Sequence, residues 1–403
     1  MLRALHRCAL KDYLLGYWAS RIPGVKHFRS IDGLRAWLAW IVVLSHVSLY
    51  TGADLSLPLL EKIETSATYA VCIFIIISGF VIAHLLLEKQ EDYLPYITRR
   101  FLRIYPVYLI CLCFGIATTY LHFQAFADHP WREIVPQPAL FAAELGSLNG
   151  GDFVWHLAAH MTLLHGAISN HILPMSEYMF LGPAWSLSLE WQFYLVAPII
   201  LVALRTYRGQ VLMAFATVLA YGAYRLEWLG QFFDPSFLPG AGLYFAVGIT
   251  TRLLFPKLPE FKTYPLAAMI VVFGFCLISH GLLPFMLWAA FVAWLRTAPA
   301  TLKTGSPVVL AFNAVFNSKL AHYLGIRSYS TYLIHEPIIH TVVFLCIKRW
   351  VLGLWPTLFL TLFLAVALTL IASMILYQFV EAPAIAFGKR LFGEIPLRPV
   401  MRA

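Results

Sequence analysis

Ten stretches of this chain are apolar over close to the ~20 residues that a helix needs to cross the hydrocarbon core of a bilayer. They lie at about 34–51, 66–87, 101–122, 184–204, 210–226, 238–255, 264–280, 282–297, 329–348 and 355–380. The sequence is therefore expected to fold as an all-α polytopic membrane protein of about ten transmembrane helices. Composition excludes the main alternative: 60% hydrophobic and 12% charged residues, with a mean hydropathy of +0.74, do not suit a water-soluble globule.

The charges between these stretches set an orientation. The net charge is +9, but Lys and Arg fall between apolar runs instead of forming one patch, so no nucleic-acid partner is expected. Arg3, Arg7, Lys11, Arg21, Lys26, Arg29, Lys89, Arg99 and Arg100 fall on one side, with Arg205, Arg208, Arg252, Lys257, Lys303, Lys319, Arg327, Lys389 and Arg390 further along. The opposite side holds chiefly Lys62, Arg132, Lys348 and Arg349. By the positive-inside rule both termini are expected in the cytoplasm. Three regions follow: residues 1–29 as an amphipathic cytoplasmic segment without the features of a cleavable leader, 30–382 as the membrane domain, and 383–403 as a cytoplasmic tail. The outside segment 123–183 is expected to cap the bundle. Six cysteines, mostly inside apolar runs, show neither metal spacing nor a disulfide framework. Nothing in the sequence fixes an oligomeric state.

Polar residues inside apolar runs mark candidate chemistry, because they are expensive in lipid. In the first run Arg35 and His46 are eleven residues apart, which puts them on nearly one face, about 16 Å apart along the axis. Asp32 and Ser30 supply helix-start chemistry. Ser78 and Gly79 in the second run permit close helix approach, with Ser78 bonding back to its own turn. Arg100 and Arg103 share a face at the cytoplasmic mouth of the third, one turn before Pro106; two guanidiniums there suit phosphates, although orientation alone also places Arg at such ends. Glu190 lies one to two turns into the fourth run, with Ser186 and Tyr194 four residues to either side, at a depth that suggests His46 as its partner. Tyr329, Tyr332 and His335 recur at three-residue spacing before Pro337, and His335 serves either a substrate or helix packing. His156 and His160, in the histidine-rich outer loop 155–171, are four apart without a carboxylate or cysteine at ligand spacing, so no metal is expected.

Taken together, Asp32-Gly-Leu-Arg35 with His46, the Phe74–Phe80 segment, Arg100-x-x-Arg103 with Pro106, Trp185-Ser186-Leu187-x-x-Glu190-x-x-Phe193-Tyr194 and Tyr329-Ser330-x-Tyr332-Leu333-x-His335 resemble the acyltransferase family 3 integral-membrane proteins, in family order. The resemblance implies a ten-helix O-acyltransferase of a bacterial inner membrane that takes an acyl group, usually acetyl, from cytoplasmic acyl-CoA. Its acceptor would be a hydroxyl of a carbohydrate or glycolipid at the membrane or its outer side. On that reading His46 is the general base, Glu190 orients it, and Arg35 holds the donor or stabilises charge. Arg100 and Arg103 bind the coenzyme phosphates, and Asp32, Ser186, Tyr194, Tyr332 and His335 line the substrate site. The competing class is a transporter or flippase of a lipid- or sugar-linked intermediate, since intramembrane Arg, Glu and His also mark ion pathways.

Overall fold

The computed structural model describes residues 29–53, 58–89, 91–127, 138–259, 280–297 and 307–393. The expected amphipathic segment 1–28, nearly all of the expected span 264–280 and the end of the expected tail lie outside the described residues.

Every regular element among the described residues is helical. In chain order they are α1 (Arg29–Thr51), α2 (Pro58–Glu88), α3 (Tyr93–Ala127), the short α4 (Pro138–Ser147) and α5 (Phe153–Met161), then α6 (Ala184–Ala203), α7 (Tyr207–Arg225) and α8 (Leu238–Leu254). After these come α9 (Leu283–Leu295), α10 (Pro307–Asn317), α11 (Lys319–Gly325), α12 (Ser328–Phe344), α13 (Leu354–Leu376) and α14 (Ala382–Phe392). Seven helical stretches among the described residues are long and apolar enough to cross a membrane: α1, α2, α3, α6, the stretch containing α8, the stretch containing α12, and the run from α13 through α14.

Three expected spans take a different form. The stretch expected at 210–226 is a helix, α7, but Arg208, Gln210, Tyr221, Tyr224 and Arg225 dilute its apolar residues and it buries none of them in the bundle. The stretch expected at 282–297 is α9, of 13 residues, whose length of about 20 Å falls short of a ~30 Å core. The last expected span does not stop at 380. A π-helical turn, Tyr377–Glu381, joins α13 to α14, so the helix runs past the expected domain boundary at 382.

Close backbone approaches hold the centre together. A Cβ on Gly79 of α2 would strike the backbone of Phe245 on α8, and one on Gly248 of α8 would strike the backbone of α2 between Ile76 and Phe80. This reciprocal contact is the close approach expected at Ser78-Gly79, and it follows the small-residue packing of membrane helices. Gly33 of α1 meets the backbone of Phe316, and Gly325 meets that of Asp32, which seats α10 and α11 against the start of α1. The stretch containing α12 has the largest buried share of the seven and packs against α1 and α3. Ser330, Thr331, His335, Glu336 and His340 of α12 are all buried in the fold. Polar side chains on a helix enclosed on all sides must find partners on its neighbours, and these partners form the site.

Candidate active site

His46 sits five residues before the end of α1, where α12 crosses it. Its Nδ1 lies 2.9 Å from Nε2 of His335, and the two rings are 5.0 Å apart. Nδ1 of His335 is buried without a full hydrogen bond and lies against the carbonyls of Thr331 and Tyr332, one turn back on its own helix. A ring nitrogen facing carbonyls carries the proton, since its lone pair would be repelled. Nε2 of His335 is then an acceptor, and the bond between the rings takes its proton from Nδ1 of His46. That leaves the lone pair of His46 on Nε2, on a ring that is only half-buried.

One turn further along α1, the Tyr50 hydroxyl donates to Oε1 of Glu336 at 2.5 Å, and the Gly182 backbone N–H donates to Oε2 at 2.6 Å. Tyr50 also packs edge-on against His340 and His122, at ring separations of 4.5 Å and 5.2 Å, and those two imidazoles stack at 4.2 Å. Glu144 of α4 lies in electrostatic reach of both Glu336 and Tyr50. Burial, with Glu336 nearby, pushes its carboxyl up to about 8.

The expectation that Glu190 pairs with His46 is corrected here, because the structure gives each a different partner. Oε1 of Glu190 accepts from Ser78 of α2 at 2.8 Å and from the Tyr194 hydroxyl one turn along α6. Ser78 is thereby turned to Glu190 and not back to its own turn. Tyr194 is held to Glu190 as its spacing implied, while Ser186 bonds the Tyr332 hydroxyl at 2.8 Å and donates nothing to Glu190. Tyr332 also donates to the Pro183 carbonyl at 3.2 Å.

Toward the start of α1 the side chains are cationic and anionic in alternation. Arg103 lies within electrostatic reach of Glu381, Glu190 and Asp32, and Arg100 lies beside Arg103 and Tyr194. Glu381, in the π-helical turn, accepts from Ser330 of α12 at 2.7 Å and faces Arg103, Arg35 and Arg327. Asp32 Oδ2 is 3.2 Å from His322 Nδ1. The Nε atoms of Arg35 and Arg100 are buried without a hydrogen-bond partner. Pro106 sits inside α3, which continues through it.

Three histidines of the segment 155–171, His156, His160 and His165, make packing and hydrogen-bond contacts within the fold. His156 Nε2 meets the Ser147 hydroxyl at 2.9 Å, the Tyr108 hydroxyl meets His160 Nδ1 at 3.0 Å and also the His160 carbonyl, and His160 stacks on His165 at 3.9 Å. Burial lowers His156 to about 4 and His165 to about 3, so both rings are neutral near pH 7. Among the described residues no group of three His, Cys, Asp or Glu side chains is arranged to hold a metal ion.

Sequence reasoning missed Glu336, Tyr50, His122, His340, Glu144 and Glu381. Glu381 offered a signal, a carboxylate one residue past an expected span; Glu336 offered another, beside His335.

A membrane bundle that brings a histidine pair together toward one end of its first helix and clusters arginines with carboxylates toward the other defines an integral-membrane protein built around an internal polar site. Its sequence matches the acyltransferase domain family over residues 28–378, and the chain belongs to that family, acyltransferase family 3. Among curated relatives, the peptidoglycan O-acetyltransferase OatA of Listeria monocytogenes is 23% identical over 392 residues, covering 89% of this chain and 56% of the relative. The acyltransferase MdmB of Streptomyces mycarofaciens is 28% identical over 181 residues, covering 44% of this chain and 40% of the relative. The chain thus spans about half the length of these two relatives. A third relative, protein 2 in the picA locus of Rhizobium radiobacter, is 29% identical over 171 residues, 40% of this chain and 76% of its own. No solved structure matches the chain.

Proposed function

We propose that this chain is a membrane O-acyltransferase that moves an acyl group, in the simplest case acetyl, from cytoplasmic acyl-CoA to a hydroxyl of a carbohydrate or glycolipid acceptor. Transfer takes place at or toward the outer side of a bacterial inner membrane, and both termini lie in the cytoplasm. The family and the relative named as a peptidoglycan O-acetyltransferase support the reaction class. The observation that carries the mechanism is the anchored His46, whose Nδ1 is held by His335 at 2.9 Å.

In this mechanism His46 Nε2 removes the proton of the acceptor hydroxyl as its oxygen attacks the thioester carbonyl. The tetrahedral intermediate collapses, the C–S bond breaks, and the coenzyme thiolate leaves and takes the proton back from the imidazolium. His335 does not touch substrate; it fixes the tautomer and angle of His46. Arg100 and Arg103 hold the coenzyme phosphates, and Arg35 lies on the path between them and His46. The Nε atoms of Arg35 and Arg100, buried without a hydrogen-bond partner, favour a ligand that accepts from them, since an unsatisfied buried donor costs about 1–3 kcal/mol. Glu190 and Glu381 hold these arginines in place, with Ser78, Tyr194 and Ser330 holding the carboxylates in turn. Ser186 and Tyr332 brace one another on the substrate side, and Asp32 fixes the start of α1 against α11.

The test is transfer from labelled acetyl-CoA to a crude surface-polysaccharide fraction in membranes, wild type against His46→Ala at matched expression. Loss of transfer with acetyl-CoA binding intact is expected. Wild-type transfer in the variant would remove His46 from the chemical step.

A further inference from the structure

Beside His46, on the side away from Arg35, five side chains from four elements converge without contributing to the proton path above. Tyr50 from α1, His122 from α3, and Glu336 and His340 from α12 form one contiguous group, and the Tyr50 ring is 5.7 Å from that of His46. Glu144 from α4 lies within electrostatic reach of Glu336 and Tyr50. Packing alone does not account for them. Nε2 of His340 is buried without a hydrogen-bond partner, on a residue only 8% exposed. An unpaired buried polar atom destabilises the fold, and an apolar residue would fill the space without that cost. Glu144, 9% exposed, brings a second carboxyl within electrostatic reach of Glu336. Tyr50 within the group and His46 beside it are both half-buried.

We infer that Tyr50, His122, Glu144, Glu336 and His340 form a subsite for an uncharged sugar ring of the acceptor, which this group holds beside His46. The inference rests on the acyl-transfer reading for its direction, but its chemistry stands on the group itself. Imidazole nitrogens and carboxyl oxygens offer the mixed donors and acceptors that ring hydroxyls need. The perpendicular faces of Tyr50 and His340, at 89°, offer apolar walls to C–H groups. Charge sets the selectivity. The group contains no Lys or Arg, so a sugar carrying its own carboxylate would bring an anion beside the Glu336 carboxyl with no guanidinium or ammonium to receive it. A neutral ring meets no such penalty. Glu144, largely protonated near pH 7 because burial and Glu336 raise it to about 8, is a hydroxyl donor to such a ring and a poor partner for a cation.

The experiment uses the full chain in lipid nanodiscs and two probes that differ only at C6, methyl β-D-glucopyranoside and methyl β-D-glucopyranosiduronate. Binding is read by saturation-transfer NMR, which needs no turnover, and acetyl-CoA affinity is measured in parallel. Wild type is expected to bind the glucoside at least tenfold better than the glucuronide. His340→Phe should weaken glucoside binding at least tenfold with acetyl-CoA affinity within twofold, and Glu336→Gln should narrow the preference between the probes. Gly222→Ala on α7, where nothing lies against the added methyl, should leave both affinities within about twofold and is the control for substitution as such. No glucoside binding by wild type, a preference for the glucuronide, or unchanged binding in both His340→Phe and Glu336→Gln would overturn the subsite. Failure of the transferase reading looks different: acetyl-CoA does not bind, while the glucoside still does.

Discussion

Replacing His335 tests whether the histidine pair is a working unit. In His335→Phe the 2.9 Å bond to His46 is gone, and Nδ1–H of His46 faces an apolar ring. Losing the bond costs about 1 kcal/mol, and leaving the donor unpaired in a buried place costs about 1–3 kcal/mol more. His46 escapes that second cost only by rotating or changing tautomer, and either change takes the Nε2 lone pair away from the acceptor hydroxyl. The sum, about 2–4 kcal/mol, corresponds to a fall in kcat of roughly 30- to 1,000-fold, within the 10²–10⁴ that a positioned general base supplies. His335→Gln offers its side-chain oxygen to Nδ1–H of His46 and is expected to stay within about tenfold of wild type by the same hydrogen-bond scale. The assay is steady-state transfer from labelled acetyl-CoA, with acetyl-CoA affinity, expected near wild type, as the control. A Phe variant at wild-type kcat, or Phe and Gln variants equally impaired, would show that His335 does not orient the base.

Arg100→Ala and Arg103→Ala are each expected to weaken acetyl-CoA binding by at least tenfold, from the loss of about 1.5–3 kcal/mol in charge-assisted hydrogen bonds; equilibrium binding with labelled donor checks this, and unchanged affinity in both would take the pair out of the donor site. Gly248→Val forces α8 off the α2 backbone, an overpacking cost of about 1–3 kcal/mol, and should lower the thermal midpoint in detergent by several degrees, while Gly222→Ala, with open space around the site, should not. Glu144, with a carboxyl raised from 4.5 to about 8 in the fold, holds its proton more tightly folded than unfolded; its contribution is present below pH 4.5 and is lost as pH rises through about 8. The wild-type thermal midpoint should therefore fall more steeply between pH 5 and 9 than that of Glu144→Gln, and parallel curves would refute the buried position of this carboxyl.

The helices that cross the bundle centre were legible because long apolar runs mark them, and α2, with the highest mean hydropathy of the seven, shows this best. Where apolar and polar residues share a helix, hydropathy alone misleads. α7 turns Val211, Leu212, Phe215, Val218 and Leu219 outward, each more than half exposed, and its apolar count made it resemble a span although its charged ends and polar residues keep it out of the seven. The end of the last helix was misplaced for the opposite reason. Glu381 lowers the local hydropathy and so reads as a boundary, yet it is buried at 2% exposure, bonded to Ser330, inside a helix that continues to Phe392.

The site was legible as a set of residues and not as a set of pairs. Counting along helices gives depth: His46 is five residues from the end of α1 and Glu190 six from the start of α6, so the two lie at similar levels and invite pairing. Depth is one coordinate of three. Which side chains meet is set by lateral neighbours, and α2 takes Glu190 through Ser78 while α12 takes His46 through His335. The omission of Glu336 has a related cause. Adjacent helix residues point about 100° apart, so a functional His335 argues against its neighbour on any helix with an outward face. α12 has no such face, because α1, α3 and α13 pack around it, and a helix enclosed in this way directs consecutive side chains into different parts of one site. His335 goes to His46 and Glu336 to Tyr50, which lie four residues apart on the same face of α1. Two neighbouring residues on the enclosed helix thus reach two successive turns of its partner, one to orient the base and the next to build the wall beside it.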